Sequence, residues 1–162
     1  IFKHRWLDER DAQRTLGAGA LQRIEARVRA SETRHSGEIR VCIEAGLPLS
    51  YLWRDATARE RAIAMFGKLQ VWDTEANNGV LIYLLLAEHA IEFVADRALT
   101  QRVDAAQWQA IVDRLGLRLR NGEFEDGLTQ ALEEISALLV AHFPCEPGSV
   151  NANELTDAVV RA

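Results

Sequence analysis

Residues 78–86 read Asn-Gly-Val-Leu-Ile-Tyr-Leu-Leu-Leu and contain the longest apolar run in the sequence. The run is too short to cross a membrane and too continuous to alternate, which is typical of a strand buried on both faces. We therefore predict the central strand of a sheet here, with a neighbouring strand on each side. Alternate side chains then point to opposite faces, with Leu81, Tyr83 and Leu85 on one and Ile82, Leu84 and Leu86 on the other.

Two further stretches supply the neighbours of this strand. Residues 91–96 follow after a link of only four residues, and so short a link makes the two strands an antiparallel hairpin. Residues 38–44 alternate strictly between apolar and polar, so we expect a strand with one face wet or only partly covered. Apolar spacing over residues 50–69 predicts a helix between strands one and two, with Trp53, Ala56, Ile63 and Phe66 on its core stripe. A strand, a helix and a buried strand form a βαβ unit, which sets the two strands parallel.

The rest of the chain shows helical periodicity. Amphipathic helices are predicted over residues 20–35, 104–120 and 123–142. The predicted inward residues of the last two helices are Trp108, Ile111, Val112, Leu115 and Leu119, and Phe124, Leu128, Leu132, Ile135 and Leu139. The fold class is therefore α/β, a small mixed sheet made of the βαβ unit plus the hairpin and packed by about four helices. We divide the chain into an N-terminal helical extension over 1–19, an α/β domain over 20–143 and a loosely held C-terminal tail over 144–162.

Composition excludes several classes of function. The 162 residues are 48% hydrophobic and 27% charged, as in ordinary globular proteins, and the net charge is -5. An acidic chain lacks the basic face of most nucleic-acid-binding modules, so no nucleic-acid partner is expected. No signal peptide and no apolar stretch of about 20 residues is present, so no membrane span is expected. Cys42 and Cys145 form no disulfide framework, which favours a reducing, cytoplasmic location.

The strand directions gather polar residues at one end of the sheet. Parallel strands one and two begin at the same end, and the antiparallel third strand finishes there. Carboxylate and amide oxygens in one place suit a hard cation such as Ca²⁺ or Mg²⁺. The predicted metal ligands are Asp73, Glu75, Asn78, Asp96 and Asp104, and the predicted binding residues around them are His35, Glu38, Arg97 and Arg102. We expect Asp96 and Asp104 to lie within reach of a common ion.

Ordinary structural roles compete with this interpretation. Asp104 can cap its helix, Asn78 and Gly79 can form the turn, and Asp96 can pair with Arg97 or Arg102. The familiar catalytic signatures GxSxG, Walker A, GxGxxG and HExxH are absent from the sequence. No residue is identified as a nucleophile.

In this order of elements the chain resembles the TPM-domain family. The resemblance spans roughly residues 21–143 and is carried by residues 37–41, 78–82, 91–96, 103–105 and 121–128. The commoner members follow the hairpin with a Gly-rich stretch and a Thr-Asp pair, whereas residues 96–104 here differ, which indicates a divergent, soluble subgroup. The resemblance implies a TPM-like fold and a divalent metal near the matching aspartates. Thylakoid-lumen members are involved in photosystem repair and have been called acid phosphatases.

Three functions therefore remain open. The first is a TPM-fold ligand-binding or assembly-associated protein with a divalent-metal site and no demonstrated catalysis. The second is a metal-dependent acid phosphatase-like hydrolase, in which Arg97, Arg102 and Arg40 are the candidate phosphate-binding groups. The third is a protein-interaction module without metal, whose polar strand face or sheet edge pairs with an unidentified protein partner.

Overall fold

The computed structural model describes residues 18–144 and 160–161. Most of the predicted N-terminal extension and most of the predicted tail lie outside these ranges. Within them the chain forms six helices and four strands, in the order α1 (Ala18–Ser31), β1 (Glu38–Glu44), α2 (Leu49–Trp53), α3 (Ala58–Lys68), β2 (Gly79–Leu85), β3 (Ala90–Ala95), α4 (Arg97–Thr100), α5 (Ala105–Arg120), α6 (Phe124–His142) and β4 (Val160–Arg161).

The sheet has the strand order β3-β2-β1-β4. Strand β1 pairs with β2 in parallel and β2 pairs with β3 antiparallel, as the βαβ unit and the hairpin predict. Every residue of β2 is buried, and this strand has a neighbour on both sides, so the predicted central strand is confirmed. The sequence did not predict β4, a two-residue strand that lies parallel to β1 at the edge of the sheet opposite β3.

Two hydrophobic cores lie on opposite faces of the sheet. On one face Val80, Ile82 and Leu84 pack against α1, α5 and α6. On the other face Leu81, Tyr83 and Leu85 pack against α3. The side chains of β2 divide between the faces as the sequence predicts. Helices therefore cover both sides of the sheet, which is the usual arrangement around parallel strands.

The longest helix confirms its predicted core face. Phe124, Leu128, Leu132, Ile135 and Leu139 of α6 are all at most 2% exposed. Helix α5 ends at Asn121 and Gly122, where Gly122 adopts a φ of 79°. Glycine is favoured there because it reaches positive φ without steric cost. No helix in residues 18–144 combines the length and the apolar character that crossing a membrane requires.

Two expectations about β1 and its crossover are wrong. The polar face of β1 is not wet, because Cys42 and Glu44 are buried beneath α3. The crossover is not one helix over 50–69, because the chain breaks after α2, with Asp55 at a φ of 54°. The side chain of Thr57 then accepts a hydrogen bond from the Glu60 N–H at 3.1 Å and starts α3.

The break changes which crossover side chains are buried. Trp53 is 87% exposed and Ile63 is 52% exposed, although the helical stripe assigned both to the core. The buried residues of α3 are instead Ala58, Ala62 and Met65. The residues around Asp55 are not helical, so α2 and α3 do not continue one helix. Residues spaced for a single long helix therefore do not share a face across the break.

Candidate functional site

The end of the sheet predicted to gather oxygen ligands exists as expected. Glu38 at the start of β1 is the register partner of Gly79 at the start of β2. On the other side of β2, the Asp96 N–H donates to the Gly79 carbonyl at 2.9 Å. Three strands therefore meet at Gly79. We call this end of the sheet, formed by Glu38, Asn78, Gly79 and Asp96, the rim.

Close packing explains the glycine at the centre of the rim. A Cβ built on Gly79 would lie 2.1 Å from the carbonyl oxygen of Val71, far inside van der Waals contact. The preceding loop has positive φ at Gln70 and Asn77, with values of 57° and 52°, and not at Gly79. Asn77 therefore supplies the left-handed residue of the turn, and Gly79 lets the Val71 backbone cross the start of β2.

Strand alternation divides the rim between the two faces of the sheet. Glu38 and Asp96 flank Gly79 in register and lie on the same face as Cys42, Leu81 and Val94. Asn78 is one residue before Gly79 and lies on the opposite face. Glu38 and Asp96 are thus the two rim carboxylates that share a face, and the Val71 carbonyl approaches Gly79 between them.

Asp96 combines a capping role with an unused oxygen. It is the N-cap of α4, and its Oδ1 accepts a hydrogen bond from the Arg97 N–H at 2.7 Å. Its Oδ2 is buried and has no hydrogen-bond donor among the described residues. A buried carboxylate oxygen without a donor or a cation costs free energy, so this atom is the chemically most demanding one at the rim.

Asn78 lies on the other face of the rim, and His35 precedes β1 in the chain. The Asn78 N–H donates to Thr74 Oγ1 and its Nδ2 donates to Ser36 Oγ, each at 3.1 Å. Its buried Oδ1 has no donor within the described part of the chain. His35 is fully buried, and burial lowers its pKa to about 4, opposed by a hydrogen bond with the Gly37 backbone. The imidazole is therefore neutral at pH 7.

The remaining predicted ligands lie nearer the surface. Asp73 and Glu75 are exposed in the loop between α3 and β2. Asp104 is exposed as the N-cap of α5, and its backbone N–H donates to Gln107 Oε1 at 3.3 Å. Capping thus accounts for the position of Asp104 in the sequence.

The two predicted arginines are also exposed and already have contacts. Arg97 reaches Asn77 Oδ1 at 3.5 Å. The Arg102 guanidinium stacks over the Phe143 ring, 4.4 Å from its centroid. A cation over an aromatic face is a common packing arrangement, so this contact alone does not indicate a phosphate site.

The residues at the rim suit a calcium or magnesium site better than a zinc site. Across residues 18–144, no three His, Cys, Asp or Glu side chains are close enough together to hold a metal ion. A closed site of thiolates or imidazoles, as zinc prefers, is therefore not formed by these residues. Two carboxylates that share a face, Glu38 and Asp96, beside a backbone carbonyl, suit a hard cation that keeps some of its waters.

The sequence did not reveal a second polar cluster at the opposite end of the sheet. Glu44 accepts hydrogen bonds from Arg61 Nε at 2.7 Å and from the Tyr83 hydroxyl at 2.8 Å. Burial, followed by the hydrogen bond to Glu44, raises the pKa of Tyr83, and burial raises the pKa of the Cys42 thiol to about 12. Glu44 is hydrogen-bonded to both Arg61 and Tyr83, and the Cys42 thiol stays protonated at neutral pH, which indicates a structural cluster.

Comparison with solved structures supports the fold. The NMR structure of the BA42 protein from the psychrophilic bacterium Bizionia argentinensis superposes with a TM-score of 0.78 at 25% sequence identity, covering 90% of this chain and 94% of that one. The N-terminal domain of a protein from P. gingivalis superposes with a TM-score of 0.61 at 21% identity, covering 81% of this chain and 82% of that one. No curated protein matches the sequence.

The family assignment comes from a match of the sequence to a family model. The TPM domain model matches residues 10–138, which include β1, β2, β3, the rim and most of α6. This range is well over half of the chain. The protein therefore belongs to the TPM-domain family.

Proposed function

We propose that this TPM domain binds a divalent cation, Ca²⁺ or Mg²⁺, at the face of the rim that Glu38 and Asp96 share. The observation that carries the proposal is the buried Asp96 Oδ2, which has no hydrogen-bond donor among the described residues. A cation satisfies such an oxygen, and Ca²⁺ and Mg²⁺ both accept carboxylate, carbonyl and water oxygens as ligands.

Charge at the rim supports the same conclusion. Glu38 is 1% exposed and lies across Gly79 from Asp96 on the same face. A cation bound on this face is attracted to both carboxylates and offsets the repulsion between them. Glu38 and Asp96 are the proposed carboxylate ligands, and the Val71 carbonyl is a further candidate. Asp104, Asp73 and Glu75 stay predictions as additional ligands, direct or through water. Asn78 lies on the opposite face of the rim and is not proposed as a ligand of this cation.

A thermal-shift series tests this proposal. The melting temperature of the wild-type chain is measured over increasing Ca²⁺, Mg²⁺ and Mn²⁺, beside Asp96→Asn and Asp104→Asn. A cation that binds only the folded state raises stability by RT ln(1 + [L]/Kd), so the shift grows with concentration. We expect the shift to be lost in Asp96→Asn and reduced in Asp104→Asn if Asp104 contributes. No shift in the wild type with any of the three cations contradicts the proposal.

The phosphatase alternative needs more than a cation. Metal-assisted phosphate hydrolysis requires an activated water or nucleophile and positive groups around the phosphate. Arg97, beside Asp96, is the nearest candidate for the positive group. An assay with p-nitrophenyl phosphate and each divalent cation tests this alternative. If hydrolysis takes place at the rim, its rate must fall in Asp96→Asn. Activity that survives this substitution belongs to another site or to a contaminant.

A further inference from the structure

Strand β3 is an edge strand of the sheet, and its outer side has no partner strand among the described residues. At the opposite edge, the two-residue strand β4 pairs with Cys42 and Ile43 of β1. In an antiparallel ladder, alternate residues direct both backbone groups to the same side. The Asp96 N–H points to β2. The residues of β3 whose backbone N–H and C=O groups point away from β2 are therefore Ile91, Phe93 and Ala95.

A single arginine partly blocks this outer side. Arg59 of α3 donates from Nη1 to the Phe93 carbonyl at 2.5 Å, which confirms that this carbonyl points away from β2. The same nitrogen lies 3.4 Å from Glu92 Oε2, and the Arg59 side chain is 48% exposed. The backbone groups of Ile91 and Ala95 on either side have no such cap in the described structure. A positive side chain over an edge strand is a common guard against unwanted pairing.

A groove runs along the open side of β3. One cavity of about 530 Å³ is bounded by β3, by Arg59 and by Trp108 and Val112 of α5. A second cavity of about 250 Å³ continues it and shares Ile91 and Val112 with the first. The six residues of β3 are about 20 Å long at the rise of a β-strand. The groove therefore has the length and the backbone groups that suit an added extended segment.

We propose that this groove binds an extended peptide segment of a partner protein, which pairs with β3 as an additional strand. Its backbone bonds to Ile91 and Ala95, and its alternate apolar side chains lie against Trp108 and Val112. An acidic side chain on its other face attracts Arg59 and draws the guanidinium away from the Phe93 carbonyl. Strand addition of this kind takes affinity from main-chain hydrogen bonds and specificity from alternate side chains. The site is separate from the rim and does not depend on cation binding.

The probe is an acetylated and amidated eight-residue peptide in which valine alternates with threonine and one central threonine is replaced by glutamate. It is titrated into the ¹⁵N-labelled chain and followed by NMR. The amide signals of Ile91 and Ala95 should shift and gain protection from hydrogen exchange. Those of Glu92 and Val94, which already face β2, should gain none. The same peptide with N-methyl groups on its bonding edge should bind at least about tenfold more weakly, because it lacks the donors.

Variants of Arg59 test the recognition of the acidic side chain. Wild type should prefer the glutamate peptide to a matched glutamine peptide, and Arg59→Ala should lose that preference while still binding both. This comparison is independent of the N-methyl control on wild-type protein. The proposal is overturned if Ile91 and Ala95 do not respond to millimolar peptide or if the N-methylated peptide binds equally well. A glutamate preference that persists in Arg59→Ala overturns the assigned role of Arg59.

Discussion

The backbone N–H of Asp96 donates a hydrogen bond of 2.9 Å to the carbonyl of Gly79, so the end of β3 is fixed beside the start of β2. Glu38 is the register partner of the same glycine from the other side. Because Gly79 has no side chain, two carboxylates flank a position where only backbone is present. This relationship is the basis of the proposed cation site.

Replacing Gly79 with alanine should destabilise the domain. The added Cβ would meet the Val71 carbonyl at 2.1 Å, and a backbone atom cannot move aside as a flexible side chain does. Overpacking of this kind costs roughly 1–3 kcal/mol, measured as a lower urea midpoint. Gly67→Ala is the matched control, because nothing lies within 4 Å of a Cβ added at that position and alanine favours the helix interior. Equal midpoints for the two variants would refute the packing argument.

Truncating Ile135 to alanine should cost roughly 2–5 kcal/mol, because the side chain is fully buried in the core between α6 and the sheet. Ile63→Ala provides the control, since the same deletion is made on α3 where the residue is 52% exposed. Urea unfolding of both variants separates burial from the chemistry of the deletion. An unchanged midpoint for Ile135→Ala is incompatible with the two-core description.

His35 should make stability depend on pH. Burial holds its pKa near 4, against 6.5 when unfolded, so between these values the unfolded chain binds more protons at this residue. Its contribution is complete above pH 6.5 and is lost as pH falls towards 4. Between pH 7 and pH 5 the loss is at most about 2 kcal/mol. It is measured as the difference in unfolding free energy between pH 7 and pH 5.

Substituting His35 separates its contribution to the pH dependence of stability from the contributions of acidic residues. His35→Gln should show a smaller drop in stability from pH 7 to pH 5 than wild type, whatever its stability at pH 7. His89→Asn is the control, because His89 is exposed and asparagine tolerates its φ of 53°. If His35→Gln keeps the wild-type pH dependence, the buried imidazole is not its source.

The strands and their order could be predicted from the sequence because each rests on a local signal. The apolar run of β2, the short hairpin link and the crossover length determine the neighbours and directions of three strands. Strand β4 could not be found in this way. Two residues carry no periodicity, and their pairing with β1 depends on contacts distant in sequence.

The site was predicted less completely than the fold. Strand direction alone correctly brought Glu38 and Asp96 to one end of the sheet. The faces were not considered, and Asn78 lies on the face opposite Asp96 because it is one residue out of phase. The buried state of Glu38 and Glu44 was missed for a related reason. Alternation shows which residues share a face, but not whether a helix such as α3 covers it.

The groove beside β3 illustrates the same limit. The sequence marks Ile91–Ala95 as a strand, but the cap that Arg59 places on Phe93 joins residues 34 positions apart. Trp108 was assigned to the inner stripe of its helix, and it is half-buried there, edge-on to Phe93 with ring centroids 6.4 Å apart. Its second role as a wall of the groove depends on the spacing between β3 and α5, which no local pattern encodes.

Isothermal titration calorimetry of Ca²⁺ and Mg²⁺ into the wild-type chain, Asp96→Asn and Asp113→Asn tests the central claim most directly. Asparagine keeps the capping oxygen of Asp96 but removes its charge, and Asp113→Asn makes the same charge change at an exposed position on α5. We predict one cation per wild-type chain, unchanged binding in Asp113→Asn, and at least about tenfold weaker binding in Asp96→Asn. Equal binding by Asp96→Asn and wild type, or no binding of either ion by wild type, would contradict the account.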